Sequence, residues 1–109
     1  MDLFNILQKL TKDLNIAVKQ LRHTGEEYAK AYTDYRVALA KELVILKNEG
    51  YAITLAGDIA RGKPEIAKLK FNEISKEAIY KANQESINSI KLQIKIIESQ
   101  MNREWSVNE

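Results

Sequence analysis

The chain has 109 residues, 45% hydrophobic and 29% charged, with a formal net charge of +2, one proline, four glycines and no cysteine. This suits one folded domain, 1–109, that buries about two-thirds of its unfolded surface, and it lies away from the low-hydrophobicity regime of disordered chains. The missing cysteine excludes disulfides, thiolate nucleophiles and Cys-ligated metal sites. The short apolar runs exclude a transmembrane helix, and MDLFNILQKLTKDL is unlike a signal peptide, so a cytoplasmic protein with no membrane contact is expected.

The first predicted element is a helix over about 2–22, in which Leu3, Leu7, Leu10, Leu14, Ala17 and Leu21 recur at three- and four-residue steps and share one stripe. The string RHTGEEY then predicts a kink or break at residues 23–25. Gly25 costs a helix interior about 1 kcal/mol relative to Ala, and Thr24 with Glu27 has capping-box spacing. A second helical segment over about 26–49 carries Tyr28, Ala31, Tyr32, Tyr35, Leu39, Leu43 and Leu46, and stops at Gly50 in a left-handed conformation. YAIT reads as an extended connector, after which Thr54 caps a short helical turn at about 55–61. Pro64 fits a first helical turn and opens the last helix, expected over about 64–105, some 40 residues or about 60 Å.

That last helix carries two apolar stripes. At about 100° per residue, Leu69, Tyr80, Ile87, Ile90, Ile94, Ile97, Met101 and Trp105 share one side, whereas Ala67, Phe71, Ile74, Ala78, Ala82, Leu92 and Ile96 lie nearly opposite. The expected fold is therefore all-α, an elongated antiparallel helical hairpin or bundle with a kinked N-terminal arm. If residues 23–25 only kink, the arm covers one stripe and the other needs a second copy or another protein. If they reverse the chain, a monomeric three-helix bundle covers both over part of their length.

Candidate chemistry is sparse. His23 is the only histidine, so every His-based metal or nucleophile arrangement depends on it, and its polar surroundings predict a solvated residue or a local cap. Glu73 with Glu77, one helical turn apart, and Glu26 beside Glu27 are the closest carboxylate pairs; neighbouring Lys70, Lys76 and Lys81 predict surface ion pairs rather than acid–base catalysis. GDIARGK lacks the spacing and the Ser or Thr of a phosphate loop. Arg61, Lys63, Lys68 and Lys70 cluster at the tip before the last helix and, with Arg36, Lys41 and Lys47, form a weak candidate for nucleic-acid contact, diluted by Asp58, Glu65 and Glu42. Tyr28, Tyr32 and Tyr35 follow the apolar stripe and read as core with hydroxyls at its edge. Trp105 reads as a terminal packing anchor. No cofactor or catalytic residue is expected.

Gly25, Tyr28 and Ala29; Tyr35, Arg36, Ala38 and Leu39; Glu49-Gly50 with Thr54 and Arg61-Gly62; and the stretch EAIYKANQESINSIKLQIKIIESQMNREW together make a further pattern. Through them the run from Leu21 to Trp105 resembles a group of small, largely uncharacterised helical proteins encoded by phages and prophages of Gram-positive bacteria. Ala52 stands where such proteins have proline, and Asn72-Glu73 replaces a more usual Arg-Asp pair. Members often lie among recombination and replication genes, so the resemblance implies phage origin and the host bacterial cytoplasm, and it transfers no catalytic residue. The expected function is a non-enzymatic interaction protein, a scaffold or adaptor. It would form a homodimer and bind a phage or host protein, as an accessory to recombination or replication or as an inhibitor of host defence such as CRISPR nucleases. The alternative is a nucleic-acid-binding accessory that uses the basic tip.

Overall fold

The computed structural model describes residues 2–108, which form three helices and no strand: α1 (Leu3–Asn48), α2 (Ile53–Gly62) and α3 (Pro64–Asn108). The all-α class and the long last helix opened by Pro64 are as the sequence predicts. Asp2 caps α1, its Oδ1 accepting the backbone N–H of Phe4 at 2.8 Å. At the far end Gly50 has φ 98°, and the N–H groups of Gly50 and Tyr51 donate to the carbonyls of Lys47 and Leu46. These two bonds are a Schellman motif, which satisfies carbonyls that the last helical turn leaves open.

Three local expectations are corrected. Residues 23–25 neither break the helix nor reverse the chain, because α1 runs through them without interruption. Thr24 and Glu27 are interior helical residues, so they form no capping box. The physical reason lies in the spacing of the less exposed residues: Leu21, Thr24, Tyr28 and Ala31 keep the three-four rhythm through the suspected break. Packing on that line outweighs the single-glycine penalty of about 1 kcal/mol. Likewise Ile53 and Thr54 belong to α2 rather than to a connector, and Ala52 holds the N-cap position with no side-chain cap.

The chain divides into two compact units, one made of α1 up to His23 with α3 from Tyr80, the other spanning Thr24 to Ile79. The second unit has three helical pieces and the larger core, in which Tyr35, Leu39 and Leu46 of α1 meet Ala56 and Ala60 of α2 and Ile66 of α3. The small side chains of α2 let it lie close against its neighbours. Within this unit the α1 and α3 pieces run antiparallel, since Lys63 pairs with Glu42, Lys70 stacks on Tyr35 and Tyr28 meets Glu77. Among the described residues of the first unit only Ala17, Asn83 and Ile87 are buried, and the leucines of α1 and the other isoleucines of α3 at the seam are half-buried.

Two glycine substitutions test this backbone. Gly25→Ala should raise stability by up to about 1 kcal/mol in chemical denaturation, because alanine favours an uninterrupted helix. Gly50→Ala should lower it by about 1–2 kcal/mol, because its φ is left-handed. A loss at Gly25 would contradict the continuous α1.

Candidate interaction faces

Among the less exposed positions of α3, Ile66, Leu69, Glu73, Lys76, Tyr80, Asn83, Ile87, Ile90, Ile94, Ile97 and Met101 follow one another at alternating steps of three and four, with half-buried Ser75, Glu77 and Gln100 beside that line. This is the heptad spacing of helices packed side by side. It contains Leu69, Tyr80, Ile87, Ile90, Ile94, Ile97 and Met101 of the first stripe, so that stripe faces α1 within each unit. Trp105 does not join them: it is 71% exposed, and the expected terminal anchor is not buried.

The opposite stripe has no cover among the described residues of the single chain. Phe71 is 73% exposed, Ile74 57% and Leu92 60%, and Ala67, Ala78, Ala82 and Ile96 are exposed as well. A helix presents only one side to one neighbour, and α1 occupies the other side of α3 in each unit.

Polar groups interrupt the seam of the second unit. Glu73 is 6% exposed, and Lys70 Nζ stands 2.8 Å from its Oε2 while lying 4.8 Å from the centre of the Tyr35 ring. That approach is an ion pair without the angles of a hydrogen bond, so Oε2 has charge compensation but no directed donor. The Tyr28 hydroxyl donates to Glu77 Oε2 at 2.7 Å, and Lys76 pairs with Glu27 at 3.0 Å. Glu73 thus makes the expected ion pair with Lys70, but from a buried position at the seam, and Glu77 is engaged from α1 by Tyr28. The bond to Glu77, with burial and the negative charges of Glu77 and Glu73 behind it, pushes the Tyr28 hydroxyl up to about 12. In the first unit Asn83 Nδ2 donates to the Ala17 carbonyl at 3.0 Å.

Of the tyrosine set, Tyr35 is buried, Tyr28 half-buried and Tyr32 exposed. His23 lies on an exposed side of α1, and among the described residues no group of His, Cys, Asp or Glu is placed to hold a metal ion. The basic tip is partly neutralised. Lys63 pairs with Glu42 and Lys70 with Glu73, and each lysine's affinity for its proton is raised by that partner. Arg61 Nη1 folds back to within 2.9 Å of where a Cβ on Gly57 would stand, and Arg61 and Lys68 are both exposed.

The sequence reading missed an apolar groove of about 230 Å³ between the end of α1 and α2, lined by Leu43, Val44, Lys47, Ile53 and Ala56. It was hidden because Ile53 was assigned to a connector. Among the described residues no helix is long and apolar enough to cross a membrane. Set against models of protein families, curated proteins and solved structures, the chain matches none of them.

The two faces of α3 should differ in their response to truncation. Ile87→Ala should cost about 2–5 kcal/mol, whereas Leu92→Ala should change the stability of the single chain by no more than about 0.5 kcal/mol. Spectrophotometric titration of the five tyrosines should show one ionising near pH 12. Its folded value is raised, so its contribution to stability is whole below pH ~10 and is lost as pH rises through ~12. Tyr28→Phe should remove that late step, and Glu77→Gln should bring it back toward ordinary tyrosine.

Proposed function

We propose that the chain is a non-enzymatic helical interaction protein, of phage or prophage origin and acting in the host bacterial cytoplasm. Its uncovered α3 stripe would bind a second copy and a phage or host protein. The observation that carries this reading is the exposure of Phe71, Ile74, Leu92 and Ile96 on one line of α3, since apolar side chains aligned along a helix mark contact surfaces more often than scattered ones do. The phage origin rests on the residue pattern between Leu21 and Trp105. It favours two roles, an accessory to recombination or replication and an inhibitor of host defence such as a CRISPR nuclease.

The stripe has two clusters with different charge settings. Leu92 and Ile96 are accompanied by Lys91 and Lys95, a setting that favours a partner with acidic flanks. The reading as a nucleic-acid-binding accessory draws support from exposed Lys68 with Arg36, Lys41 and Lys47, but Lys63 and Lys70 are already paired with carboxylates.

Capture on immobilised protein from phage-infected host cells decides between these readings. Under the first, a protein partner stays bound at high salt, and Leu92→Glu with Ile96→Glu releases it without loss of helicity. Under the second, nucleic acid is retained and its binding falls steeply as salt rises. Light scattering of the purified protein should give a mass above one chain, and a single-chain mass throughout would remove the homodimer.

A further inference from the structure

Within the second unit, the exposed line of α3 reads Ala67, Phe71, Ile74 and Ala78, at steps of four, three and four, with small side chains at its ends and large ones in the middle. Lys70 and Glu77 border it on one edge, and Lys68 and Ser75 border it on the other. The order of size along the line is the same read in either direction.

Resting on the self-association reading above, we infer that this face binds a second copy of the chain in antiparallel register, about a twofold axis level with Asn72 and Glu73. Phe71 then packs on the partner's Ile74, and Ala67 packs on the partner's Ala78, each contact occurring twice as an isologous interface requires. Large residues meet at the centre, and the alanines let the helix ends approach.

Charge selects the direction. A twofold axis of this kind sets each edge of the stripe against the same edge of the other copy. Lys70 comes alongside the partner's Glu77, again twice, and Lys68 meets only the partner's Ser75. Parallel pairing would set opposite edges together, Lys70 beside the partner's Lys68 and Glu77 beside the partner's Ser75, with like charges in place of an acid–base pair. Lys70 is already held by Glu73 and the Tyr35 ring, and Glu77 by the Tyr28 hydroxyl. Both charges are therefore positioned before association, which limits the entropy lost on binding. Four apolar side chains fall short of the ~800 Å² per partner of a standard interface. The dimer is accordingly weak, with a dissociation constant on the order of tens of micromolar.

The chain has no cysteine, so Ala67→Cys and Ala78→Cys, each made alone at an exposed position, report the register cleanly. Oxidised as a mixture, the two variants should give a disulfide-linked pair. Each alone should give none, because in this register like positions of the two copies lie about 16 Å apart along the helix, beyond the ~7 Å a disulfide spans between Cα atoms. Phe71→Glu should weaken the dimer at least tenfold by light scattering while circular dichroism stays unchanged. Self-linking of either single variant would overturn the antiparallel register. A wild-type dimer whose mixed variants fail to link would also overturn it, while leaving self-association through another face. A wild-type mass of one chain from micromolar to millimolar concentration would remove both.

Discussion

One helix with apolar side chains on two opposite lines, and α1 lying along only one of them, is the constraint on which the rest of this protein depends. The line from Ile66 to Met101 faces α1, which fixes the pairing inside each unit. The line through Phe71, Ile74, Leu92 and Ile96 is thereby left in water. Covering it within the same chain would need another long helix. Among the described residues the only additional element is α2, ten residues whose buried Ala56, Gly57 and Ala60 are occupied in the core of the second unit.

The pairing itself is not uniformly apolar. Glu73 and Asn83 occupy positions where a heptad seam ordinarily carries leucine or isoleucine, and both are buried. A buried carboxylate is costly unless compensated, and Lys70 supplies the compensation; Asn83 finds the Ala17 carbonyl. A shift of one helix along the other would separate Tyr28 from Glu77 and Glu27 from Lys76 in the second unit, and Asn83 from Ala17 in the first. Leu–Ile contacts tolerate such slippage far better, so these polar groups contribute more to register than to net stability.

What could be read from the sequence followed from periodicity. The three- and four-residue steps located α1 and α3 and separated the two faces of α3, Gly50 and Pro64 marked true boundaries, and the lack of strand-like alternation excluded sheet. Local signals failed where they competed with that periodicity. Thr24-Gly25 and Glu27 look like a helix start in isolation, yet Leu21, Thr24, Tyr28 and Ala31 carry the seam through them. Thr54 looks like a cap, yet the helix starts before it. The polar seam was missed for a different reason: a count of apolar residues passes over Glu73, Lys76 and Asn83. Their spacing between Leu69, Tyr80 and Ile87 was nevertheless visible, and it places them on the same line. The Tyr28–Glu77 bond was beyond such reading, since the two residues are 49 positions apart and nothing local relates them.

The exposed line of α3 is also interrupted in a patterned way. Ala67, Phe71, Ile74 and Ala78 form one apolar cluster, Leu92 and Ile96 another, and between them the outward positions include Lys81, Glu85, Asn88 and Ser89. A helix with no constraint on its outer side would carry such polar residues throughout, because they favour solubility at no loss of packing. The line turns polar again at Ser99 and Arg103, so its large apolar side chains stand in two separate clusters. The first has a symmetric order of size, with a lysine and a glutamate at opposite ends of one edge, and so complements itself when reversed. The second has lysines beside it and no balancing acid at Gln93 or Ser89, so pairing with its own copy would gather like charges, whereas a different, acidic partner would not. On the reading proposed above, two contacts of different character would suit an adaptor, since self-association through one face would leave the other open on each copy and double the valency with which a partner is held.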